Sequence, residues 1–195
     1  QTLTPHSIEI YSTIGDLLDR QAERFPDRDA LVHAETGARY TYSQFREEVD
    51  RVARGLMALD IRKGYHVGIW ATNYTEWVLA QFATAKIGAV LVNVNPAYRT
   101  HELAYLLEQS EANALILIGQ FRTSDYVAMV NEVVPELKDS HPGELRCAKL
   151  PNCVTSSTSR RVGSGRPDTR RHVGLGRCRG QSRRGWCRRA ATPTD

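Results

Sequence analysis

The sequence predicts an α/β domain built on an open, mostly parallel sheet with helices on both faces, followed by a disordered Arg/Gly/Ser-rich tail. Three observations carry that expectation. The runs HVGIWA, AVLVNV and ALILI are almost continuously apolar, as strands buried on both faces are. They alternate with helical stretches of about 10–15 residues, the rhythm of βαβ units. Past KLPN, residues 149–152, the composition changes abruptly.

Taken in order, STIGDLLDRQAERFPD opens with Thr13 and Asp16 in capping-box spacing. Ile14, Leu17, Leu18, Ala22 and Phe25 recur at helical intervals, and Pro26 closes the segment. DALVHA and ARYTYS flank Glu35, Thr36 and Gly37, which is turn chemistry, so the pair predicts a hairpin. From Ser43 to Leu59 the stripe Phe45, Val49, Val52, Leu56 and Leu59 predicts one long helix, ended by Lys63 and Gly64. HVGIWA is then a buried strand. Asn73 and Glu76 cap the next helix, whose core WVLAQFATA is apolar nearly all round and calls for cover on more than one face. Gly88 ends it, AVLVNV is a second buried strand, and Pro96 marks a turn into the helix THELAYLLEQS. ALILI is the third strand and SDYVAMVNEVVPEL is helical. Right-handed crossovers put the loops TNYTE, NVNPAYRT and GQFRTSD on one edge of the sheet, where ligands of such folds bind.

The net charge of +4 hides two different stretches. Residues 1–151 carry 15 Lys+Arg against 20 Asp+Glu, whereas 152–195 carry 11 Arg, no Lys and only Asp168 and Asp195. The chain therefore divides into a partial N-terminal domain, 1–151, and a disordered basic tail, 152–195. No C-x-x-C pair exists, which argues against a zinc ribbon or a thioredoxin-type site. Cys147 is the one cysteine of the first part, has no base near it in sequence and reads as inert; the domain reads as cytoplasmic. No apolar run approaches about 18 residues, so no transmembrane segment is expected. QTLTPHSIEIYS lacks the basic start and apolar core of a signal peptide, and the chain opens on Gln1, which leaves its natural N-terminus open.

Three stretches go further than pattern. TIGDLLDRQAERFPDRDALV, RYTYSQFREEVDRVARGL and HVGIWATNYTEWVLAQFATAKIGAVLVNVNPAYRTHELAYLLEQSEANALI stand in the order and spacing of adenylate-forming enzymes. Over about residues 8–151 the chain resembles the N-terminal portion of an AMP-forming acyl-CoA synthetase of the fatty-acid-activating kind. The resemblance implies a ligase that joins a fatty acid or other carboxylate to CoA at the expense of ATP, with Mg²⁺, giving AMP and pyrophosphate. The phosphate-binding Ser/Thr/Gly-rich loop, the aromatic-Gly-x-Thr-Glu motif, the ribose-binding Asp and the C-terminal Lys of that family have no match here. No catalytic, cofactor-binding or metal-binding residue is carried over, and the chain alone is expected to be inactive.

Asn73, Asn95, Pro96, Tyr98 and Arg99 fall at the ligand edge of the sheet. One reading makes them the outer wall of a nucleotide or CoA site. The other, favoured because such residues punctuate loops so routinely, makes Asn73 an N-cap and Asn95 with Pro96 a turn pair. His33, His66 and His101 lack a Ser, Cys or Asp partner at recognisable spacing and read as surface or strand-end residues. Trp70 and Trp77 read as core. GLGRCRG, 174–180, misses the dinucleotide fingerprint by one position and follows no buried strand.

The Arg-rich stretch could be a nucleic-acid- or anionic-surface-binding arm on a non-catalytic α/β module. Against that, it has no Lys, no repeat and only Trp186 for stacking. Arg, Gly, Ala and Pro have GC-rich codons, so the stretch reads instead as out-of-frame sequence, and no nucleic-acid partner is expected. Few large apolar residues and high charge leave it unable to offset chain entropy.

Overall fold

Residues 13–139, Cys147 and 156–159 are described in the computed structural model. GLGRCRG and the rest of the Arg-rich stretch lie outside the described residues. Helix α1 (Ile14–Arg24) starts as its capping box requires: Thr13 Oγ1 accepts from the Asp16 N–H, and Asp16 accepts from the Thr13 N–H. Strands β1 (Asp29–His33) and β2 (Ala38–Thr41) pair antiparallel as the expected hairpin, with Gly37 at φ 68° in its turn. Thr41 is both the last residue of β2 and the cap of α2 (Tyr42–Ala58), exchanging hydrogen bonds with Gln44. Strand thus passes into helix without a loop.

The βαβ rhythm follows as β3 (His66–Trp70), α3 (Thr75–Ile87), β4 (Val90–Asn93), α4 (Thr100–Gln109) and β5 (Ala114–Ile118). A two-stranded ribbon, β6 (Gln120–Phe121) and β7 (Ser124–Asp125), occupies the stretch read as a plain loop. Then come α5 (Tyr126–Val133), a 3₁₀ turn (Pro135–Lys138) and β8 (Ser156–Ser159). The segment SDYVAMVNEVVPEL is not one helix. Asp125 caps its start, and α5 stops before Pro135, which has no N–H to donate.

Four parallel strands run in the order β4-β3-β5-β8. Strand alternation sorts the core into two layers. Ala114 and Ile116 of β5, with Val67 of β3, pack against Leu18, Val49, Leu56, Leu79 and Ala83 of α1, α2 and α3. Leu115 and Leu117, with Trp70, pack against Leu103, Leu107, Met129 and Val130 of α4 and α5. Helices therefore cover both faces, as expected.

Helix α3 sits against α1, α2 and the sheet, so its all-round apolar character is used. Gly15 makes the α1 approach feasible, because a Cβ there would lie 2.8 Å from Lys86 Cγ. Two expectations fail at the margins. Strand β4 pairs only with β3 among the described residues, and Val90 is 46% exposed, so this apolar strand is an edge. In α1, Leu18 and Ala22 are buried while Ile14 and Leu17 stand half in solvent. Strand β8 falls within 152–195, the stretch assigned to the tail.

Candidate functional site

The chain order of the strands creates a crevice. After β3 the chain turns to α3 on one face; after β4 it turns to α4 on the other. Ligands of open α/β sheets bind outside the carboxyl ends of the strands. A cleft of about 470 Å³ lies there, lined by Ala71, Thr72, Asn73 and Trp77 from the β3 side and Asn93, Val94, Asn95 and Pro96 from the β4 side.

The β4 wall is held by local and long-range bonds. Asn95 Oδ1 accepts from the Ala97 N–H at 2.9 Å, and the Asn95 carbonyl accepts from the Tyr98 N–H at 3.0 Å. The expected turn pair is thus present. Trp70 Nε1 donates to the Asn95 carbonyl at 3.1 Å, and the Tyr126 hydroxyl donates to the Pro96 carbonyl at 2.6 Å. Burial pushes the Tyr126 phenol up from its ordinary value, with the Arg99 charge opposing, so it stays a donor at neutral pH.

On the β3 wall, Asn73 is not the helix cap. Tyr74 occupies that position and makes no side-chain capping bond. The Asn73 carbonyl instead accepts from His33 Nε2 at 2.8 Å. His33 Nδ1 accepts from the Thr36 N–H, which assigns the ring proton to Nε2. His33, the strand-end residue of β1 as read, is therefore also a hairpin tether to the cleft.

Of the five residues named from sequence, Asn73, Asn95 and Pro96 line the cleft. Tyr98 packs partly buried against the α4–α5 core, and exposed Arg99 heads α4 with its guanidinium on Ser124 Oγ at 3.1 Å. Trp70 is fully buried, as read; Trp77 is not core but a half-buried wall of the cleft. Its position at the start of α3, on the ligand edge, was the signal missed. Asn93 was missed too, although it is the one polar residue inside AVLVNV. His66 sits at the opposite end of β3 and donates from Nδ1 to the Ser110 carbonyl at 2.5 Å; His101 is exposed. Cys147 is buried in the α4–α5 layer.

The lining is neutral: three amides, a hydroxyl and one indole, with no charged side chain. Such a surface suits the uncharged, hydrogen-bonding part of a ligand, not a bare phosphate. Among the described residues no group of three His, Cys, Asp or Glu is placed to hold a metal ion. No described helix is long and apolar enough to cross a membrane.

Fold and crevice define the class: an open, parallel α/β domain with a candidate cleft at the carboxyl ends of β3 and β4. Residues 18–167 match the AMP-binding enzyme family, and the chain belongs to it. It is 51% identical over 142 residues to YngI of Bacillus subtilis, a protein designated an acyl-CoA synthetase, covering 73% of this chain and 26% of YngI. Against the mitochondrial medium-chain acyl-CoA ligase ACSF2 of Mus musculus it is 42% identical over 146 residues, 75% of this chain and 24% of ACSF2. The N-terminal domain of FACL13 from Mycobacterium tuberculosis shares the fold, with a TM-score of 0.61 at 24% identity, covering 76% of this chain and 34% of that one. The chain spans about a quarter of the length of the curated relatives it matches.

Proposed function

We propose that this chain is the N-terminal portion of an ATP-dependent fatty acyl-CoA synthetase, and that its cleft at the carboxyl ends of β3 and β4 is part of the wall of a nucleotide or CoA site. In the reaction, a carboxylate oxygen attacks the α-phosphorus of ATP and pyrophosphate leaves. The thiolate sulfur of CoA then attacks the acyl carbon of the adenylate, and AMP leaves with the C–O bonding pair. The observation that carries the reading is the neutral amide-and-indole cleft at the carboxyl edge of an AMP-binding family sheet. ATP and CoA both present an adenine ring, whose edge takes amide hydrogen bonds and whose face takes an indole.

The 195-residue chain by itself is inactive on this reading. Positioning and electrostatic stabilisation supply most of the rate in phosphate chemistry, and the cleft's lining offers no cation for a triphosphate. We further propose that 152–195 is out-of-frame sequence, a stretch the family match enters only as far as residue 167. Strand β8 consists of Ser156, Ser157, Thr158 and Ser159, where a parallel sheet calls for an apolar strand. The free thiol of Cys147 fits a reducing compartment, the cytoplasm in the simplest case.

Two measurements test these readings. Purified chain with Mg²⁺, ATP, labelled pyrophosphate and a panel of short to long fatty acids should show no ATP–pyrophosphate exchange; exchange lost on chelating Mg²⁺ would reveal a complete site. The encoding DNA beyond codon 152 should continue the family pattern in another frame. If no frame does so, the 152–195 assignment fails.

A further inference from the structure

Three backbone carbonyls in the cleft walls are taken by ring donors from outside the lining. Asn73 is held by His33 Nε2, Asn95 by Trp70 Nε1 and Pro96 by the Tyr126 hydroxyl, at 2.8, 3.1 and 2.6 Å. The donors belong to β1, β3 and α5, 40, 25 and 30 residues from their acceptors. Local turn bonds do not need such partners; a fixed distance between two walls does. Trp70 and Tyr126 stack with ring centroids 3.7 Å apart and planes 5° apart, and both are fully buried, so neither ring turns without the other. On the other wall, His33 is oriented by Thr36 and lies against the Tyr74 ring at 6.5 Å and 21°.

We propose that His33, Trp70 and Tyr126 are positioning residues that set the opening of the cleft through the carbonyls of Asn73, Asn95 and Pro96. Their effect on a ligand rests on the reading of the cleft as a nucleotide or CoA site; their effect on the walls does not. Each wall carries amides that report its order. On the β4 side these are Ala97, bonded to Asn95 Oδ1, and Tyr98, bonded to the Asn95 carbonyl. On the β3 side they are Tyr74, bonded to the Thr72 carbonyl, and Trp77, bonded to that of Tyr74.

The test is residue-resolved hydrogen exchange on the full chain and two ring-conserving variants. Tyr126→Phe keeps the stack and removes only the donor. Exchange at Ala97 and Tyr98 should rise about tenfold, the usual net worth of one hydrogen bond expressed as a local opening constant. His33→Phe should raise exchange at Tyr74 and Trp77 by a like factor. Amides of Gly68 in β3 and Ile116 in β5 should stay as they were, which a merely structural role would not predict. Unchanged wall amides, or an equal rise across the sheet, overturns the proposal.

Tryptophan fluorescence titrations with ATP and with CoA, run separately, supply the second readout. Weaker binding in both variants is expected. Intact affinity beside loosened walls would refute the effect on ligand. Wild-type chain that binds neither compound would defeat the reading of the cleft, while exchange would still decide the positioning role.

Discussion

Replacing Lys86 by Met probes how the helical layer behind the cleft is held. Lys86 lies in the last turn of α3, and its ammonium donates to Asp19 of α1 at 2.5 Å and Asp50 of α2 at 2.6 Å. The lysine side chain is only 14% exposed, whereas the carboxylates are 41% and 37% exposed. Burial works to lower the Lys86 pKa, but the hydrogen bonds and charges of the two aspartates prevail and hold it above its ordinary value. Breaking a fully buried pair costs about 3–5 kcal/mol, and an exposed pair about 0–1. With its acceptors more than a third exposed, this triad belongs nearer the lower range. Methionine keeps the stem's packing, so Lys86→Met should cost about 1–2 kcal/mol from lost pairing and from two aspartates left facing each other. In a domain of this size that lowers the melting temperature by roughly 5 °C. The assay is urea and thermal unfolding followed by far-UV circular dichroism, at low and high salt. Because the folded pKa is raised, the stabilisation is complete below the ordinary lysine value of 10.5 and is lost as pH rises through the folded value. An unchanged midpoint at neutral pH, or a wild-type midpoint that does not fall in strong alkali relative to the variant, would refute the reasoning.

Gly88→Ala should destabilise by about 1–2 kcal/mol in urea titration, since αL geometry disfavours a Cβ. The residue sits at φ 71°, and its Cβ would stand 3.0 Å from Lys63 Cγ. Hydrogen bonds from the Thr13 backbone and side chain hold the Asp16 carboxyl below its ordinary value of 3.8. The cap's contribution is therefore present above that value and lost as pH falls through the depressed one, so exchange protection of the first α1 amides should fade in acid before that of β3. Trp77→Ala should reduce any nucleotide-dependent fluorescence change, leaving Trp70 to report, while shifting the melting temperature by only a few degrees, because the indole is only partly buried.

Much of this protein is determined by local chemistry. The capping boxes at Thr13 and Thr41, Gly37 in the hairpin turn and Gly88 ending α3 are each specified within a few residues. Strand and helix order follow from apolar periodicity, and the edge of the sheet on which the strand-to-helix loops gather follows from crossover handedness. Family membership rests on the same residues. What periodicity cannot specify is which strand lies outermost, because an edge strand and a central one can share the same apolar run. Among the described residues, tertiary pairing left β4 with one neighbour and Val90 exposed, and placed Trp77 in a cleft wall. Long-range approach likewise decided that His33 holds Asn73, that Trp70 and Tyr126 hold the Asn95–Pro96 turn, and that Arg99 turns to Ser124 rather than the cleft. Those partners are 25 to 40 residues apart in the chain, and only the packing of two layers on one sheet brings them within hydrogen-bond reach.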